Sequence, residues 1–112
     1  MYSIENEYVK ITARKQGGEL TSILSKKNNA EFLWNGDKEY WTYHSPVLFP
    51  IVGKVKNGKY KIDDVVYELP QHGFARNKDF EIEEQVDKNR LSFCLKYNED
   101  TLKIYPFKFL FY

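Results

Sequence analysis

The stretch from Leu69 to Asn77 holds a histidine and an arginine on either side of Gly73-Phe74-Ala75. An imidazole both donates and accepts hydrogen bonds, and a guanidinium presents a fixed fork of donors. A polar binding site needs groups of this kind close together. We therefore take His72 and Arg76 as candidate ligand-binding residues and Phe74 as a candidate wall of the pocket.

A second segment, from Tyr43 to Lys54, holds two prolines and a glycine around an apolar run. Because proline cannot donate to a strand ladder, this run does not fit a central strand. We predict a structured loop that lies over the sheet. Lys54 at its end is close in sequence to Lys56 and Lys59, which is typical of a solvated basic loop.

The elements that would position these segments are strands, since apolar and polar residues alternate along most of the chain. The alternation runs from Val9 to Arg14, breaks at Gly17-Gly18 and resumes from Leu20 to Leu24, which predicts a hairpin or a strand pair. A tighter hairpin is predicted from Tyr60 to Leu69, with its turn at Asp63-Asp64.

Three further strands follow from the same pattern. A short strand is predicted from Ala30 to Trp34, ending at Asn35-Gly36-Asp37, where glycine supplies the positive φ of a tight turn. The next strand runs from Phe80 to Val86 and turns back through residues Asp87 to Arg90. The clearest half-buried strand runs from Leu91 to Tyr97, with its apolar residues on one face.

Only the residues from Asn98 to Ile104 resemble a helical turn, with Asn98 as a cap and Pro106 as a stop. So little helix predicts an all-β fold, an antiparallel β-sandwich. Without a linker or a repeat, residues 1–112 are expected to form a single, incomplete β domain. Its last segment, Phe107 to Tyr112, is an apolar strand with an unpaired edge, so we expect self-association there.

Composition limits the classes of partner. The 17 Lys and Arg balance 16 Asp and Glu, so the basic excess that binds a phosphate backbone is missing and no nucleic-acid partner is expected. No apolar run approaches the roughly 18 residues of a membrane span, so no membrane is expected either. The single Cys94 favours the reducing cytoplasm. Aromatic residues make up 17% of the chain and suit both strands and sugar rings, but Trp34 and Trp41 are expected in the core.

Three motifs carry a family resemblance. They are Ser45-Pro46-Val47-Leu48-Phe49-Pro50-Ile51-Val52-Gly53, Leu69-Pro70-Gln71-His72-Gly73-Phe74-Ala75-Arg76 and Tyr105-Pro106-Phe107. In order and spacing they resemble the aldose 1-epimerase, or galactose mutarotase-like, family, and within it the LacX-type branch. The resemblance covers nearly the whole chain and implies a large antiparallel β-sandwich whose concave face binds a sugar.

The same resemblance implies the reaction, which interconverts the α and β anomers of an aldose. A base removes the proton of the anomeric hydroxyl and an acid protonates the ring oxygen, with no metal and no cofactor. In the family both groups come after the Tyr-Pro-Phe motif, and only five residues follow that motif here. The resemblance therefore implies a hexose partner, while the chain itself is expected to hold no catalytic residue.

Motif alignment also implies roles in binding. His72 matches the substrate-binding histidine of the family, which hydrogen-bonds a ring hydroxyl or the ring oxygen, and Phe74 and Arg76 belong to the same block. Lys54 stands where many relatives carry arginine, and it keeps the charge without the fork. Hexose-6-phosphate mutarotases look similar at these positions but often carry a further arginine where this chain has Tyr43-His44. The neutral sugar is preferred, and the phosphosugar stays open.

Structural roles also stay open for these residues. His72 can be a turn residue bonded to the backbone, Arg76 can pair with Asp79 or Glu81, and Phe74 can belong to the core. The whole chain can equally be a carbohydrate-binding domain without catalysis.

Overall fold

The computed structural model describes residues 1–83 and 88–112, and these form eight strands and one short α-helix. The elements are β1 (Tyr2–Glu5), β2 (Val9–Arg14), β3 (Glu19–Ser25), β4 (Lys59–Ile62), β5 (Val65–Glu68), β6 (Glu81–Ile82), β7 (Phe93–Lys96), α1 (Glu99–Ile104) and β8 (Leu110–Phe111). They build three sheets with strand orders β1-β2-β3, β4-β5 and β6-β7-β8. All the strand pairs are antiparallel, which confirms the all-β fold class.

The first sheet contains the hairpin predicted at Gly17-Gly18. β2 and β3 pair along their lengths, with Arg14 opposite Glu19 at the closed end and a bulge between Thr12 and Ala13. β1 was not predicted from the sequence, and it pairs with the other edge of β2. Half-buried and exposed residues alternate along β1, but four residues are too short a pattern to identify a strand.

The second hairpin, β4 with β5, also agrees with the prediction. Asp63 and Asp64 both have a positive φ, 47° and 62°, which is the backbone of the tight primed turns that suit two-residue hairpins. The Tyr60 hydroxyl donates to the carbonyl of Ile104 at 2.5 Å, so the hairpin packs against the end of α1.

The third sheet and α1 follow the predicted order. β7 pairs with β6 on one side and with β8 on the other. The Asn98 side chain accepts the backbone N–H of Thr101 at 2.9 Å, while the Thr101 hydroxyl accepts the N–H of Asn98, so the predicted cap is confirmed. The predicted strand residues Gln85 and Val86 and the turn residue Asp87 lie outside the described residues.

The strand predicted from Ala30 to Trp34 is wrong. The structure has a single bridge there, between Leu24 and Glu31. The Glu31 carboxylate instead accepts hydrogen bonds from the Ser22 hydroxyl at 2.5 Å and from the backbone N–H groups of Ile23 and Leu33. These bonds, the one from Ser22 above all, hold the pKa of Glu31 below its usual value, and they replace a continuous ladder.

The two tryptophans are also not in the core. Trp34 is 40% exposed and Trp41 47% exposed. The Trp34 indole N–H donates to the carbonyl of Trp41 at 2.8 Å, so the two residues close a surface loop. Without a strand at this point the loop does not reach the interior.

The core lies between the third sheet and the segment after β5. Its buried cluster consists of Leu69, Phe74, Ala75, Phe80 and Leu95. The chain measures 56 × 36 × 16 Å, and its radius of gyration of 16.7 Å exceeds the roughly 13 Å of a compact domain of this length. A slab of this shape leaves much apolar surface exposed. In the described ranges, no helix is long and apolar enough to cross a membrane.

Candidate functional site

The two segments singled out in the sequence lie side by side. The carbonyl of Phe49 accepts the backbone N–H groups of Phe74 and Ala75 at 3.0 and 3.2 Å. Phe49 and Gly73 form a parallel bridge, and the Phe49-Pro50 peptide bond is cis. The first segment is therefore a structured loop, as predicted, and it holds the second segment in place through backbone hydrogen bonds.

His72 is locked to this loop at both its backbone and its ring. Its N–H donates to the carbonyl of Gly53 at 2.7 Å, and the N–H of Gly53 donates to His72 Nδ1 at 2.9 Å. Nδ1 is therefore an acceptor without a proton, so the neutral ring carries its proton on Nε2. The backbone contact predicted for a turn histidine is present, and it leaves the Nε2–H donor beside the side chain of Gln71.

Gln71 joins His72 and Arg76. Its side-chain amide lies 3.4 Å from His72 Nε2, and its backbone carbonyl accepts from Arg76 Nη2 at 3.3 Å. The imidazole and the guanidinium thus both contact Gln71, the first at its side chain and the second at its backbone carbonyl.

Arg76 stacks on Tyr43 and forms no ion pair with the described residues. Its guanidinium carbon lies 4.7 Å from the centre of the Tyr43 ring, and the Tyr43 hydroxyl donates to Asn77 Oδ1 at 2.9 Å. Within the described ranges Arg76 pairs with neither Asp79 nor Glu81, and its buried Nε has no hydrogen-bond partner. No carboxylate in the described ranges therefore neutralises its positive charge.

Sequence reasoning missed the group that anchors the loop directly after Tyr43. Glu19 is 1% exposed, and its Oε1 accepts the backbone N–H groups of His44 and Ser45 at 2.5 and 3.0 Å. Its Oε2 accepts from Arg14 Nε at 2.7 Å, and the two side chains form an ion pair. The signal was present, because a hairpin closed at Gly17-Gly18 places residues 14 and 19 opposite each other.

The remaining candidates lie at different depths. Phe74 is 4% exposed and packs edge-to-face against Phe49, which matches the core alternative. Lys54 is exposed and makes no hydrogen bond or ion pair with the described part of the chain. This is what we expect of a residue in a solvated basic loop. Trp41 lies against Tyr43, with ring centroids 5.9 Å apart. No group of three metal-ligating side chains occurs among the described residues.

Comparisons with known proteins identify the family of the chain. A family model described as aldose 1-epimerase matches residues 1–111. Two LacX proteins of Lactococcus lactis subsp. lactis, chromosomal and plasmid, are 37% and 35% identical, each over 95% of this chain. The alignments span 36% of each LacX protein, slightly more than a third of its length.

Solved structures give the same result for the fold. A galactose mutarotase related enzyme from Lactobacillus acidophilus is 48% identical and superposes with a TM-score of 0.94, over 97% of this chain and 36% of that one. A galactose mutarotase-like protein from Lactobacillus casei is 37% identical, with a TM-score of 0.92 over 98% of this chain and 37% of that one. On sequence and fold together, the chain belongs to the aldose 1-epimerase family and has a galactose mutarotase-like fold.

Proposed function

We propose that this chain carries a sugar-binding surface of an aldose mutarotase, and that on its own it binds a hexose without interconverting the anomers. The observation that supports the proposal best is the contact of both His72 and Arg76 with Gln71. The location we propose is the cytoplasm, and the free Cys94 is compatible with it.

The hydrogen-bonding groups at this place suit a sugar. Because Gly53 occupies Nδ1, the neutral His72 ring offers Nε2–H as a donor to a hydroxyl or to the ring oxygen. The guanidinium of Arg76 adds donors that no carboxylate of the described residues takes up. Trp41 and Tyr43 extend the surface with aromatic rings of the kind that pack against pyranose faces.

The same contacts argue against catalysis by these residues alone. Anomer exchange needs an acid and a base placed on one sugar, each of which contributes about 10² to 10⁴ in rate. No carboxylate of the described residues forms a hydrogen bond or an ion pair with His72 or Arg76. His72 has one ring nitrogen engaged by the backbone, so the arrangement suits binding better than proton transfer.

A neutral hexose fits better than a phosphorylated one. The Tyr43 hydroxyl donates to Asn77 and the Tyr43 ring covers Arg76, so the position where hexose-6-phosphate relatives often have arginine adds no positive charge. Among the described residues around Gln71 and Tyr43, Arg76 is the one guanidinium that could bind a phosphate group.

Saturation-transfer NMR tests the proposal with galactose, glucose and glucose 6-phosphate. We expect contacts to the neutral sugars and no exchange between their anomers above the uncatalysed rate. His72→Asn should reduce binding about tenfold, since it removes the Nε2 donor and a single hydrogen bond of this type contributes about 1.4 kcal/mol. Asparagine tolerates the φ of 64° at this position and can still accept from Gly53, so the fold should be retained.

The matched control is His44→Asn. The His44 ring bonds the carbonyl of Trp34 through Nδ1 and forms no hydrogen bond with Gln71 or His72, so this change should leave sugar binding within twofold. A wild-type chain that contacts none of the sugars, or a His72→Asn variant that binds as well as the wild type, would refute the binding role. Rapid anomer exchange by the wild type would refute the absence of catalysis.

A further inference from the structure

The chain contains two Asn-Gly steps, Asn35-Gly36 in the loop after β3 and Asn57-Gly58 directly before β4. In each step the asparagine is exposed and the glycine is half-buried, with a φ of 71° at Gly36 and 69° at Gly58. At such a step the glycine nitrogen can attack the side-chain amide carbon of the asparagine, because glycine has no side chain to obstruct the approach. The two steps are therefore matched in sequence, exposure and glycine φ, and they differ in what surrounds them.

The Asn35 side chain is held over the peptide that would attack it. Asn35 Oδ1 accepts the backbone N–H of Asp37 at 3.0 Å, so the side chain folds back over the Gly36 peptide. The same N–H would stabilise the negative charge that forms on Oδ1 during the attack. Among the described residues the Gly36 N–H donates to no acceptor, which leaves its nitrogen available for reaction.

The His44 ring places a base beside Gly36. His44 Nδ1 lies 2.8 Å from the carbonyl oxygen of Trp34, which can only accept, so Nδ1 carries the proton and Nε2 of the neutral ring has none. A Cβ placed on Gly36 would lie 2.6 Å from His44 Nε2, so this unprotonated nitrogen lies against the Gly36 backbone. Imidazole is the side chain best suited to accept a proton near neutral pH.

Asn57-Gly58 lacks this arrangement. The Gly58 N–H donates to the carbonyl of Val55 at 3.0 Å, so its nitrogen is already engaged. A Cβ placed on Gly58 would meet no atom within 4 Å, so no base lies beside this glycine. The structure thus distinguishes two steps that the sequence makes equal.

We propose that Asn35 is a site of self-catalysed deamidation, with His44 as the base. His44 Nε2 takes the proton of the Gly36 N–H as that nitrogen bonds to Asn35 Cγ. The proton then passes to the side-chain amide nitrogen, the bond from Cγ to that nitrogen breaks, and ammonia leaves a cyclic succinimide. Water opens the ring at either carbonyl and gives aspartate or isoaspartate. The product adds one negative charge to a chain whose net charge is +1.

Incubation of the folded chain at neutral pH, followed by mass spectrometry of its peptides, measures both steps in one sample. Replacement of the amide by an acid raises the peptide mass, and fragmentation assigns the residue. We expect Asn35 to convert at least about tenfold faster than Asn57, because a well-placed base contributes about 10² to 10⁴ in rate. In urea, where the surroundings of both steps are lost, the two rates should be similar.

His44→Asn tests the base, because asparagine can still donate to the carbonyl of Trp34 but has no unprotonated ring nitrogen. It should slow conversion of Asn35 at least about tenfold and leave Asn57 unchanged. The rate at Asn57 also reports whether the fold is retained, since unfolding releases the Gly58 N–H. Equal rates at the two steps in the folded wild type overturn the proposal, as does a folded His44→Asn variant in which Asn35 converts as fast as in the wild type.

Discussion

Replacing Gly73 by alanine should destabilise the protein by about 3 kcal/mol or more, because left-handed backbone and a close backbone contact add at one position. Gly73 has a φ of 72°, and a Cβ placed on it would lie 2.2 Å from the carbonyl oxygen of Phe49. That oxygen cannot simply move away, since it accepts the N–H groups of Phe74 and Ala75. Urea unfolding followed by tryptophan fluorescence would measure the loss.

Gly58→Ala provides the control for the backbone conformation alone. Gly58 has a φ of 69°, close to that of Gly73, but a Cβ there would meet no atom within 4 Å. Its cost should be about 1 to 2 kcal/mol, from the left-handed backbone only. Equal losses for the two variants would contradict the close approach of the Phe49 and Gly73 segments.

Glu19→Gln should destabilise the protein by about 3 kcal/mol, since breaking one side of a buried ion pair leaves its partner uncompensated. The Glu19 carboxylate accepts from Arg14 with one oxygen and from the N–H groups of His44 and Ser45 with the other. Glutamine has one acceptor oxygen, so in either orientation its amide N–H groups face other donors. We place the loss at the lower end of the usual range because the Arg14 side chain is 27% exposed.

Glu68→Gln is the control for removing a surface carboxylate. Glu68 Oε1 lies 3.9 Å from Lys59 Nζ, and the Glu68 side chain is 79% exposed. Its substitution should cost less than about 0.5 kcal/mol.

The Glu19 variant should also weaken sugar binding, since Tyr43 adjoins the loop that Glu19 anchors and its ring stacks on Arg76. A Glu19→Gln protein that unfolds at the same urea concentration as the wild type would remove Glu19 from this role.

The strands that the sequence predicts correctly are those whose turn chemistry and alternation agree. Gly17-Gly18 and Asp63-Asp64 each separate two alternating runs, and both hairpins form where expected. The run from Ala30 to Trp34 has the composition of a strand, but the Glu31 carboxylate bonds to neighbouring backbone N–H groups and the ladder stops at one bridge. The alternation of apolar and polar residues does not reveal that a side chain will compete for the backbone hydrogen bonds of a strand.

The candidate site also combines residues that the sequence identified with residues that only the structure reveals. Types and spacing identified His72 and Arg76 as residues of one block, and the structure places them around Gln71. The anchoring of the site depends on Glu19 and Tyr43, which lie far from that block in sequence and reach it through the folded loop. Only the pairing across the first hairpin, which the glycine turn fixes, could have indicated Glu19 in advance.

The most direct test of the central claim is a long-range ¹H–¹⁵N NMR spectrum of the histidine rings during a galactose titration at mildly alkaline pH, where imidazole is neutral. We predict that His72 carries its proton on Nε2 with Nδ1 as acceptor, and that the Nε2 resonance shifts in a saturable way while the His44 ring does not respond. A His72 proton on Nδ1, or a His72 ring that stays unchanged while sugar binds elsewhere, would contradict the site.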